Sequence, residues 1–194
     1  MSPSEQDILR LWELYNEAEA FITEISTSWD GLDTTAVNQL RYAGRHLLNS
    51  LTGKTPITPE KEYERAVAHV KRATFDAIDS GIIYYLHKID LFKDDYRNIE
   101  ITTAGYPDII ASARKAKHLL DEARSNSDNR HEYYQEAKRH FKLLKESCET
   151  LEDARPEQNK RLRAYNQQIR VAYMSIFGTV ISIILAALTL FFSL

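Results

Sequence analysis

The feature that most constrains this chain is its final stretch. Val171 to Leu194 runs for 24 residues without a charge or a proline. As a helix it would cover about 36 Å at roughly 1.5 Å per residue. A bilayer's hydrocarbon core is roughly 30 Å thick. The stretch therefore predicts a transmembrane helix with some tilt. The alternative, a buried core helix, is disfavoured because a helix apolar on every face at this length is seldom soluble. Lys160, Arg161, Arg163 and Arg170 precede the stretch and no basic residue follows it. Basic flanks stay on the cytoplasmic side. The expected arrangement is a single pass with the N-terminal domain in the cytoplasm and Tyr165 and Tyr173 near the headgroups; the flanks suit a bacterial inner membrane or a eukaryotic tail-anchored protein alike.

All charged residues, 27% of the chain, lie before this tail, and the mean hydropathy is negative despite it. The other 170 or so residues thus form a water-soluble domain, long enough to bury one real core. The net charge of −3 argues against a dedicated duplex-DNA binder but leaves room for a local basic pocket. Cys148 is the single cysteine, which excludes an internal disulfide framework. The opening MSPSEQDILR has no apolar run behind a basic start, so no secretory signal is expected there.

Helical spacing dominates the soluble part, and the expected fold is all-α: a bundle of about five helices plus one C-terminal transmembrane helix. Ser2-Pro3-Ser4-Glu5 reads as a capping box with proline at the first helical position. Ile8, Leu11, Trp12, Tyr15, Ala18, Ile22 and Ile25 then recur at helical intervals. A loop is expected over 28–33. Thr34 to Leu51 forms a second helix stopped by Gly53. Thr58-Pro59 opens a third of about 35 residues with Gly81 as a weak point. Residues 98–106 interrupt the pattern, with Ile99 to Thr103 a candidate extended piece. Pro107 starts a fourth helix, and a turn is expected at 125–129. The fifth runs from about Arg130 to Ala154, where Arg155-Pro156 breaks or kinks it. A sixth continues from Glu157 into the membrane. The organisation read from this is 1–155 a cytoplasmic sensor bundle, 156–170 a basic juxtamembrane helix, and 171–194 the transmembrane helix.

No Gly-rich phosphate loop, Cys/His metal spacing or nucleophile elbow is present. Neither a metal, a cofactor nor an enzymatic activity is the leading expectation. A basic patch is more informative. Arg65, His69, Arg72 and Asp76 share one face of the third helix, and the second helix adds Arg41, Arg45 and His46. Together they suit an anionic ligand such as a nucleotide or oligonucleotide. The competing reading is a solvated face with local pairs such as Arg72–Asp76. Lys138, Arg139, His140 and Lys142 form a second, weaker basic cluster. Arg41 and His46 also resemble the short Arg…His motif of HEPN domains, helical bundles that are often ribonucleases. That resemblance implies proton transfer by the histidine and phosphate contact by the arginine. Arg124 and His131 fit a looser version of the same motif.

Steps of three and four along the tail meet Ala172, Ser175, Thr179, Ser182, Ala186, Thr189 and Ser193. Each is small or carries a hydroxyl, while most other tail positions are bulky and apolar. A 3.5-residue period is that of a left-handed helix–helix seam. Small residues permit close approach and hydroxyls can bond across it. The same stripe would equally line a water-filled ring of helices. Both readings require a homo-oligomer through the span.

The whole-chain layout and the seam from Ala172 to Ser193 resemble the C-terminally anchored, all-helical channel effectors of Hailong-type anti-phage systems. The resemblance implies a cytoplasmic domain that gates a transmembrane segment able to breach the inner membrane. It also implies a partner nucleotidyltransferase whose DNA oligomers hold the channel shut. No family residue carries over position by position. The alternatives are a membrane-tethered HEPN-like ribonuclease and a non-catalytic tail-anchored scaffold.

Overall fold

The computed structural model describes residues 3–29, 33–125 and 130–192. Five helices account for almost all of it: α1 (Glu5–Trp29), α2 (Thr34–Thr52), α3 (Pro59–Asp95), α4 (Tyr106–Ser125) and α5 (Arg130–Phe192). No strand occurs among the described residues, and Ile99 to Thr103 passes through as irregular chain.

Local chemistry sets the ends. Ser4 caps α1: its hydroxyl accepts the Asp7 N–H at 3.2 Å while the Asp7 carboxylate accepts the Ser4 N–H at 3.0 Å. The capping box thus sits two residues later than Ser2–Glu5. Asp33 caps α2 by accepting the Thr35 and Ala36 N–H groups. Gly53 ends that helix at φ 61° with its N–H on the Asn49 carbonyl, a left-handed conformation that costs glycine nothing. Thr58 and Pro59 open α3 as expected.

Contacts along α3 give the topology. Asp7 meets Tyr63 and Ser28 meets Tyr84, so α1 runs parallel to α3. Ser50 meets Pro59 and Gln39 meets His69, so α2 runs antiparallel. Tyr133 bonds Asp79 and Asn159 bonds Tyr96, so α5 is parallel to α3 again. Helix α3 serves two cores. Its first half packs Ala66, Val70, Ala73 and Ala77 against Leu11, Ala18 and Ile22 of α1 and Leu40 of α2. Its second half packs Ile78, Ile82, Tyr85, Ile89 and Phe92 against α4 and α5. Each such isoleucine or phenylalanine, fully buried, contributes about 1.5–3 kcal/mol.

Three expectations change. Leu11 is buried, but Trp12, next to it in sequence, is 61% exposed. The face that α1 presents to α3 is narrower than its apolar spacing suggested. Gly81 is a close contact: an added Cβ would lie 2.8 Å from Phe141 Cδ2, and nearer still to Phe141 Cε2 and Ile25 Cδ1. Its missing side chain is what lets α1, α3 and α5 meet.

The third change is at Pro156. Of the break or kink expected there, the break does not occur, and the fifth and sixth expected helices are one helix of 63 residues, about 95 Å long. Proline removes one helical N–H, but side chains clamp α5 on either side of it. Arg155 reaches Asp95 and Glu152 at 2.7 Å each, and Asn159 accepts from Tyr96 at 2.9 Å. Gln158 is buried and Leu162 packs on the core, so α5 leaves the bundle only after residue 162. Every residue from 163 to 190 is exposed.

Candidate functional site

The basic patch of the sequence resolves into a half-buried ladder flanked by exposed arginines. His46 on α2 and His69 on α3 stack with ring centres 5.2 Å apart and planes 9° from parallel. Their neighbours fix the ladder. The His46 Nδ1–H donates to Glu62 Oε2 at 2.5 Å. The His69 Nδ1–H donates to Gln39 Oε1 at 2.7 Å. Glu62 is covered by the fold and also accepts the Thr55 hydroxyl at 3.2 Å. The His46 bond outweighs the desolvation of Glu62 and holds its carboxyl below the ordinary range. Burial pushes the His69 imidazole down, helped by His46 and Arg72. Burial also raises the Asp76 carboxyl to about 6, with Asp33 adding repulsion while Arg72 offsets part of it.

Arg41, Arg45, Arg65 and Arg72 are all exposed. Arg65 is close enough to lower Glu62, and Arg72 acts on both His69 and Asp76. Arg41 lies 5.4 Å from the centre of the Tyr42 ring, and Tyr42 in turn lies 5.5 Å from His69. The fold therefore brings the two histidines together, with Arg72 acting on His69, Arg65 on Glu62 and Arg41 beside Tyr42, while Arg45 is exposed on α2. Tyr42, Gln39 and Glu62 join the site without being expected there. Tyr42 was visible as an aromatic between two arginines. Glu62 looked like an ordinary first-turn acid, and its partner lies 16 residues away.

The second basic cluster does not hold together. Lys138 turns to Glu17 of α1 and lies over Phe21. His140 is half-buried and its Nδ1 has no hydrogen-bond partner among the described residues. The side chains of Arg124 and His131 lie outside the described residues. Cys148 is buried with its thiol pushed up to about 12 by desolvation, which makes it inert at neutral pH. Among the described residues no three His, Cys, Asp or Glu side chains are placed to hold a metal ion.

On α5 one stretch is long and apolar enough to cross a membrane, and none of it is buried against the rest of the chain. Ala172, Ser175, Thr179, Ser182, Ala186 and Thr189 are exposed along it; Ser193 lies outside the described residues. Three hydroxyls are turned back onto their own helix. Thr179 donates to the Ser175 carbonyl, Ser182 to Gly178 and Thr189 to Ala186, at 2.8–2.9 Å. Their donors are satisfied without a neighbour, so the stripe offers small size and free acceptor lone pairs.

No protein-family model, curated protein or solved structure matches this chain.

Proposed function

We propose that this protein is an oligomeric membrane effector that forms a gated channel or pore in the bacterial inner membrane during anti-phage defence. The supporting observation is the unbroken α5. One helix packs against α3 and α4 in the bundle, passes the Arg155–Asn159 clamp, and becomes the apolar span. A shift of α5 in the bundle therefore reaches the stripe from Ala172 to Thr189 without a flexible joint. One span per chain needs several copies to enclose a path.

The gating ligand is an anion such as a nucleotide or oligonucleotide, supplied by a partner nucleotidyltransferase. It engages Arg41, Arg65 and Arg72 around the His46–His69 stack, with Tyr42 as a surface on which a base can stack. It gates only by the difference in its affinity for closed and open states. The test is conductance of the purified chain in planar bilayers. Thr179→Leu and Ser182→Leu should reduce the current, and Arg65→Gln with Arg72→Gln should remove ligand dependence. Folded oligomer that carries no current, or currents indifferent to both stripe substitutions, defeats the pore.

One observation favours a second reading, a tethered HEPN-like ribonuclease. The carboxylate of Glu62 orients His46 from behind, as a general base requires, and Arg41 lies on the same helix. RNA cleavage by the full chain, abolished by His46→Ala and Arg41→Ala, would select it.

A further inference from the structure

We propose that the outer face of the exposed α5 stalk is a binding ledge for anionic lipid headgroups. The proposal rests on the reading of α5 as a membrane span. It goes beyond that reading by fixing which side of the helix meets lipid.

Charge is the first observation. No acidic residue follows Glu157, while Lys160, Arg161, Arg163 and Arg170 do. The chain up to Glu157 then keeps 21 of the 25 basic residues against all 28 acids, a net −7. An acidic bundle is thus joined to the span through residues 158–170, of charge +4, with two of the basic residues (Arg163 and Arg170) beyond the last core contact at Leu162. Glu157 takes Arg161 at 3.8 Å. Lys160, Arg163 and Arg170 make no ion pair among the described residues.

Direction is the second. At about 100° per residue, Arg170 lies about 20° around the helix from Arg163, and Lys160 about 60°. Ala172 lies about 180° from Arg163 and Thr179 about 160°. The basic face is therefore opposite the small-residue stripe where the helix enters the apolar run. Above Arg170 the same face continues as Met174, Phe177, Ile181, Leu185 and Leu188, all within about 40° of the Arg163 direction. Bulky apolar side chains stand over the arginines on one side, and Ala172, Ser175, Thr179 and Ala186 lie about 120–180° away on the other, with Ile176, Ile183 and Leu190 among them. A copy packed on the stripe leaves the arginine face towards lipid, with Arg170 at headgroup depth. Both arginines can take phosphate oxygens in bidentate fashion.

Distance is the third. Leu162 is the last α5 residue packed on the core, and Val171 is nine residues on, a rise of about 13 Å. That exceeds the roughly 8 Å screening length at physiological ionic strength. The stalk therefore keeps the acidic bundle from repelling the surface that its own arginines hold.

The full chain, reconstituted in vesicles of equimolar phosphatidylglycerol and phosphatidylcholine and extracted in mild detergent, should carry an excess of phosphatidylglycerol. Each basic side chain near such a surface strengthens attachment about fivefold. Arg163→Gln with Arg170→Gln should return the ratio towards parity. Arg161→Gln, on the stripe side and paired to Glu157, should leave the excess in place. No excess in the native chain, an excess that survives the double substitution, or an equal loss with Arg161→Gln overturns the ledge. Alkaline carbonate extraction separates the two readings. A chain released by carbonate refutes the span itself, whereas a chain retained without lipid preference refutes only the ledge.

Discussion

Replacing Gly81 by alanine sets helix propensity against packing, and the structure decides the sign. In a helix interior alanine is better than glycine by about 1 kcal/mol. At Gly81 the new methyl would lie 2.8 Å from Phe141 Cδ2, with Phe141 Cε2 and Ile25 Cδ1 closer still. Carbon atoms in favourable contact sit about 3.5–4.0 Å apart, so both neighbours must move by roughly 1 Å. Neither has room. Ile25 and Phe141 are buried, and the Phe141 ring is held edge-on by Phe21 at 5.4 Å and Tyr85 at 5.5 Å. Overpacking of this kind costs about 1–3 kcal/mol, and two simultaneous clashes place it at the upper end. The net expectation is a destabilisation of about 2 kcal/mol, a fall in midpoint of roughly 4–8 °C for a chain of this size. Gly44→Ala is the control, because nothing lies within 4 Å of its added Cβ. It should gain up to about 1 kcal/mol. The assay is far-ultraviolet circular dichroism melting of the full chain in one detergent. Phe141→Leu in the Gly81→Ala background should recover part of the loss, a coupling that independent sites do not show. Gly81→Ala melting at or above the native chain, with Gly44→Ala stabilised, would mean that Ile25 and Phe141 yield freely to the added methyl and that no overpacking exists at this contact.

Asp76→Asn should stabilise the chain by about 1 kcal/mol at pH 7.5, a figure discounted for the group's partial exposure. The native carboxyl is raised to about 6, so its ionised form weakens folding above that pH and the gap closes as pH falls towards 4; denaturant titrations at the two pH values check it. Glu62→Gln should act in the opposite sense. A carboxyl lowered by its His46 bond contributes stability above its ordinary value of about 4.3, lost as pH falls through the lowered one, so native and variant should converge in acid. Leu11→Ala should cost about 2–5 kcal/mol as a buried truncation, and Trp12→Ala under about 1 kcal/mol as an exposed one; equal losses in urea unfolding would return Trp12 to the core.

The helices, most of their ends and the apolar run were legible in the sequence because each depends on near neighbours. A 3.6-residue period, a proline in the first turn and a glycine past the last are local signals, and Thr58-Pro59 and Gly53 acted as expected. The basic patch was legible as spacing on two helices, and the stripe as a 3.5-residue period. Tertiary structure decided the rest. Whether Leu11 or Trp12 is covered depends on how far α3 wraps α1. Whether Gly81 is a weakness or a contact depends on Phe141, 60 residues away in the chain. Pro156 ends no helix, because Asp95 and Tyr96 supply the holding contacts that its own neighbours cannot. Glu62 and His46 become a pair only when α2 folds back along α3. Sequence pattern carries the period of each helix. The partner that each face meets is a non-local quantity, and it sets which charges are buried, which are paired, and which remain on the surface to bind something else.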